Sequence, residues 1–142
     1  MINLRIVLFF IGILISCLGI AMTLPLLVEI KNSEINVTNF LISTLLTLFF
    51  GISLILAFKR EEKKINVKDT ILITTFSWPV MIILSSLPFY LDVNCENYID
   101  AIFEATSGLT TTGATVYEEV ESLSSGILIW RALLQWLGGL GI

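Results

Sequence analysis

The run Leu109-Thr110-Thr111-Thr112-Gly113-Ala114-Thr115-Val116 carries the plainest chemical suggestion in this sequence. It is uncharged, rich in threonine, and a poor helix former. A dehydrated monovalent cation needs a cage of oxygen dipoles without fixed negative charges, which would hold it too tightly. Backbone carbonyls meet that need, and threonine hydroxyls can extend the stack. Glycine admits the backbone angles that turn successive carbonyls toward one axis. A flexible polar loop is the other reading, weakened because the run sits between a half-length helix and an apolar one.

Two ionisable residues flank the run. Glu104 precedes it, and Arg131 lies roughly two turns into the last apolar segment, where an unpaired charge costs about 2.5–3.5 kcal/mol. A Glu104–Arg131 pair, or an Asp100–Arg131 pair, would clamp the two segments together behind the loop. The alternative is Arg131 reaching along its own stem to the outer surface. Glu118, Glu119 and Glu121 either concentrate cations at an outer mouth or form an ordinary solvated loop.

Other chemistries find little material. The sequence has no histidine, so a His-based triad or an imidazole metal site is excluded. Cys17 lies in an apolar block and Cys95 in a polar loop, which leaves no disulfide framework or C-x-x-C site. No credible catalytic set remains, so neither an enzyme nor an organic cofactor is expected. A net charge of −4 points to no nucleic-acid partner.

The elements that must position these residues are membrane elements. Of 142 residues, 56% are hydrophobic and 14% charged, against about a quarter charged in soluble domains. Residues 6–28, 35–58 and 70–91 contain no charged side chain. At ~1.5 Å per residue each block spans roughly 33–36 Å, enough to cross a lipid core of ~30 Å. An integral membrane protein, surrounded by lipid, is expected. The first block is too long for a signal-peptide core of ~7–15 residues and lacks a small-residue cleavage site, so it reads as a retained span. The 59–68 loop holds five of the eight basic residues and is assigned to the cytoplasm. The N-terminus is then cytoplasmic, and the spans run out, in and out.

Trp78, Trp130, Trp136 and Tyr90 read as packing residues or interfacial anchors, and Pro79 should kink the third span. Residues 97–108 carry apolar positions 98, 99, 102, 103 and 105 on one helical face. A helix of that length reaches only ~18 Å, about half the membrane, and Gly108 is a plausible stop. Because the acidic 118–121 stretch should lie outside again, 92–124 leaves and returns on one side: a half-helix in, an extended strand out. Such backbone survives at membrane depth only when buried in protein or lining a water-filled cavity. Gly138, Gly139 and Gly141 read as close-packing residues or as a gating hinge.

Phe103-Glu104-Ala105-Thr106-Ser107-Gly108-Leu109-Thr110-Thr111-Thr112-Gly113-Ala114-Thr115, followed by Trp130-Arg131-Ala132-Leu133-Leu134-Gln135-Trp136-Leu137-Gly138-Gly139-Leu140-Gly141-Ile142, resembles the TrkH/KtrB family of potassium transporters. The resemblance covers the whole chain. It implies an all-α integral membrane protein: an N-terminal transmembrane helix pair in 1–64, then one membrane–pore–membrane repeat of a potassium-channel-like fold in 65–142. That repeat would comprise half-helix 97–108, filter strand 109–116 and last helix 125–142, cut short. By resemblance, Thr111, Thr112 and Gly113 hold potassium as the transported ion, with Thr110 as the deeper flank and Ala114 at the outer end. It also implies potassium uptake across the cell (inner) membrane through four such repeats, three of them outside this chain. The implied partners are a second copy in a homodimer and a cytosolic nucleotide-binding regulatory subunit. The competing reading is a non-conducting membrane fragment with an assembly role.

Overall fold

The computed structural model describes residues 3–58 and 65–141, and its regular elements are helical. They are α1 (Leu4–Ala21), α2 (Thr23–Asn32), α3 (Val37–Ala57), α4 (Val67–Ser85), α5 (Leu87–Tyr90), α6 (Tyr98–Leu109) and α7 (Ser125–Gly139), with a 3-10 turn at Val120–Ser122. Among the described residues, three stretches are long and apolar enough to cross a membrane: Leu4–Asn32, Val37–Ala57 and Val67–Tyr90. They coincide with most of each of the three uncharged blocks of the sequence. Most of the basic loop, residues 59–64, lies outside the described residues, as does Ile142.

Prolines explain where the long spans are jointed. Pro25 lacks the N–H that the Ala21 carbonyl would accept, and α1 gives way to α2 at Met22. Pro88 sits at the start of α5, and the third span is interrupted just before it, at Ser86. There the hydroxyls of Ser85 and Ser86 donate to the carbonyls of Ile82 and Ile83. The helix runs through Pro79 without a break.

Small residues bring α1 and α3 together. A Cβ on Gly51 would stand 2.5 Å from Ser16 Oγ and 2.7 Å from its backbone nitrogen, and one on Gly12 would meet Leu54 Cβ at 2.9 Å. Lipid tails are as apolar as leucine, so this close backbone approach is what makes helix association favourable. A second cluster, including Phe40, Met81, Phe89, Ala105, Trp130 and Leu134, joins α3, α4, α5, α6 and α7. The buried Trp130 packs in that cluster, and its indole N–H donates to the Ser85 carbonyl at 3.0 Å.

The ends of the helices are tied by polar groups. Asn3 and Asn66 each donate a backbone N–H to the Asp69 carboxylate, at 2.8 and 3.1 Å, so the starts of α1 and α4 share one end. At the other end, the Asn36 amide donates to Asp92 Oδ1 at 3.2 Å and to Ser124 Oγ at 3.0 Å. Glu34 accepts the backbone N–H of Ser125 at 2.7 Å. Its carboxyl is held below the ordinary glutamate range, chiefly by the Ser125 hydroxyl. The first turn of α7 is thereby fixed to the α2–α3 corner.

Candidate ion-binding loop

Helix α6 has a buried face of Ala101, Glu104, Ala105, Gly108 and Leu109. It runs alongside α7 in the same direction: Glu104 lies against Arg131 and Gly108 against Leu134. Gly108 is not the expected stop. The helix continues to Leu109, and Gly108 is needed because a Cβ there would stand 2.8 Å from Leu134 Cβ. Gly138 has a parallel role, since a Cβ on it would overlap the Leu109 carbonyl. Gly139 has only an ordinary contact nearby, and Gly141 has open space with a left-handed φ of 71°.

After Leu109 the chain doubles back. The Thr111 N–H donates to the Gly108 carbonyl at 2.9 Å, and those of Thr112 and Gly113 converge on the Ser107 carbonyl at 2.9 and 3.4 Å. Thr111 and Gly113 both take left-handed φ values, 58° and 77°. The return leg then climbs beside α6, pairing the Ala114 carbonyl with the Ser107 hydroxyl at 2.6 Å and the Val116 N–H with Glu104 at 2.7 Å. The sequence predicted a strand over 109–116. The backbone is instead a turn and then an extended leg without strand pairing, because its hydrogen bonds go to α6 rather than to a partner strand. Residues 110–116 are exposed on the side away from α6.

Glu104 and Arg131 meet behind the leg. The guanidinium donates to Glu104 Oε2 and, at 2.9 Å, to Thr115 Oγ1. Glu104 Oε1 accepts from the Thr115 hydroxyl and the Val116 amide. The carboxylate is nearly inaccessible, at 1% exposed. A carboxylate buried in this way is costly to leave without its partners. Asp100 stands in the first turn of α6, where the Asn97 side chain donates to it.

The acidic residues of the sequence divide. Glu118 and Glu119 line an open recess of about 450 Å³ with Glu96 and Asp100, whereas Glu121 belongs to the 3-10 turn. Tyr117 borders the same recess, and burial together with the Asp92 charge pushes its hydroxyl well above the ordinary tyrosine range. Burial likewise raises the Cys95 thiol.

The sequence and the fold that hold this loop both match known proteins. A sequence model of the TrkH family, described as cation transport protein, matches residues 36–142. The chain belongs to the TrkH family.

Relatives agree over nearly its full length. It is 36% identical over 138 residues to an uncharacterized cation transporter of Methanocaldococcus jannaschii, covering 96% of this chain and 28% of that protein. It is 34% identical over 141 residues to the Trk system potassium uptake protein TrkH of Halomonas elongata, covering 99% and 29% respectively. The crystal structure of the potassium transporter TrkH from Vibrio parahaemolyticus superposes with a TM-score of 0.91 at 32% identity, covering 99% of this chain and 30% of that one. The chain therefore spans under a third of the length of these relatives.

Two participants in this loop were not expected from the sequence. Ser107 bonds the leg at two points, and Thr115 links Glu104 to Arg131. Ser107 could have been suspected from its position in the last turn of a helix, where the carbonyls have no donor within the helix.

Proposed function

We propose that this chain supplies one pore loop of a potassium uptake protein, with Thr110, Thr111, Thr112, Gly113 and Ala114 forming its share of the selectivity filter. Potassium would be held at Thr111, Thr112 and Gly113. The observation that carries this reading is the convergence of the Thr112 and Gly113 amides on the Ser107 carbonyl. A trans peptide sets its C=O opposite its N–H, so the Thr111 and Thr112 carbonyls turn to the open side of the leg. Uncharged carbonyl dipoles there suit a dehydrated cation. The C-terminal end of α6, with its partial negative charge, lies beside the turn and favours the same ion.

Glu104 and Arg131 act as a structural pair that holds the leg at its depth. Residues 65–142 are read as one membrane–pore–membrane repeat and 1–64 as a flanking helix pair with a cytoplasmic basic loop. Two of the named relatives are a potassium uptake protein and a potassium transporter, which favours the cell membrane as the site of action. A homodimer and a cytosolic nucleotide-binding subunit complete the proposed assembly.

The test is Gly113→Ser in the complete protein. At a φ of 77° any side chain is strained, so the turn must shift. Potassium and sodium uptake are measured together in a transport-deficient host. The potassium preference should fall more than expression does. An unchanged preference at normal expression removes the filter assignment.

A further inference from the structure

We propose that Ser107 is a positioning residue that ends the line of ion-facing carbonyls before Ala114. The inference rests on the pore-loop reading and concerns which peptides of the loop face the ion. Three consecutive peptides are anchored to α6 by their N–H groups: those of Thr111, Thr112 and Gly113. Their carbonyls, on Thr110, Thr111 and Thr112, therefore point away from the helix. Left-handed backbone at Thr111 and Gly113, on either side of Thr112, is the alternation that aligns successive peptide dipoles.

At Ala114 the sense reverses. Its carbonyl points back to α6 and accepts the Ser107 hydroxyl at 2.6 Å, which turns the Thr115 N–H toward the opposite side. An N–H dipole on the ion's side repels a cation, so this peptide closes the run. Ser107 thus holds both orientations, its carbonyl drawing amides in and its hydroxyl drawing a carbonyl in.

The hydroxyl has an easier partner available and does not use it. Ser16, Ser43, Thr74 and Thr110 each donate to the carbonyl four residues earlier in their own helix, the usual habit of helical hydroxyls. Ser107 instead spans seven residues to Ala114. It is only 5% exposed, so water offers no substitute, and losing the hydroxyl would leave the Ala114 carbonyl free to turn.

The experiment compares Ser107→Ala, Ser107→Thr and Gly113→Ser in the complete protein, reading potassium and sodium uptake alongside the amount of protein in the membrane. Ser107→Ala should lower the potassium-to-sodium uptake ratio about three- to ten-fold, the range that one net hydrogen bond spans. Ser107→Thr, which keeps the hydroxyl, should restore it. If Ser107→Ala leaves the ratio unchanged while Gly113→Ser lowers it, the role of Ser107 is overturned and the pore-loop reading stands. If neither moves it, both fall. Should Ser107→Ala not reach the membrane, Ser107→Cys decides, being similar in size and a weak donor. A lowered ratio supports the proposal, and a wild-type ratio overturns it.

Discussion

The Glu29 carboxylate, fully buried, accepts the backbone N–H of Gly126 at 2.8 Å with one oxygen, while the other accepts that of Asn36. This single side chain stitches α2 to the first turn of α7, whose amides have no partner within their own helix. The N-terminal pair is thereby coupled to the helix that carries Arg131.

Gly126→Ala should break this stitch, because a Cβ there overlaps the Glu29 carboxylate. Overpacking of this kind costs about 1–3 kcal/mol. Thermal unfolding of the purified complete protein in detergent would report it as a lowered midpoint. A midpoint equal to wild type would mean that α2 and α7 are not held through Glu29.

The Glu104–Arg131 lock predicts unequal single mutants. Arg131→Gln strands a buried carboxylate and should cost about 3–5 kcal/mol. Glu104→Gln, which leaves the more exposed guanidinium, should cost less. The double mutant should lose less than the two singles combined. Strict additivity in a double-mutant cycle of stabilities would show that the two groups do not interact.

Neighbouring glycines in α7 should respond differently. Gly138→Ala places a methyl group against the Leu109 carbonyl, which is backbone and cannot swing aside. Gly139→Ala meets only Thr111 Cγ2, at an ordinary 3.7 Å. Folded yield in membranes should drop several-fold for the first and stay near wild type for the second. Equal yields would exclude close packing as the reason for Gly138.

Cys95 and Cys17 test the topology. A membrane-impermeant thiol reagent applied to intact cells should label Cys95, in the outer loop, and spare Cys17, within α1. Burial raises the Cys95 thiol, so its thiolate is scarce near neutrality. Labelling should quicken as the pH is raised from about 7 to 9, past the ordinary thiol value of about 8.5. Protection of Cys95 together with labelling of a cysteine placed at Asn66 would reverse the orientation.

Much of the fold was legible because lipid imposes a simple length rule. Uncharged runs the width of a bilayer form helices, and the first and third spans have their joints near Pro25 and Pro88. The pairing of Glu104 with Arg131, left open between two readings of Arg131, followed from the high cost of an isolated charge. What stayed illegible depended on distances between helices. Gly12, Ser16 and Gly51 look unremarkable in sequence, yet they set how closely α1 meets α3. Gly108 carried the composition of a helix stop, and only the path of Leu134 gave it another purpose. The expected strand failed for a related reason: threonine favours extended backbone, but the nearest acceptors belonged to a helix.

The open side of Thr110–Val116 has a consequence for the order of assembly. Helix α7 can enter lipid with its backbone bonds already closed. The exposed leg cannot, since each peptide group left bare in hydrocarbon costs several kcal/mol. Its placement must therefore wait until water or neighbouring protein is there to receive it, which makes this loop a late step in folding rather than a part of insertion.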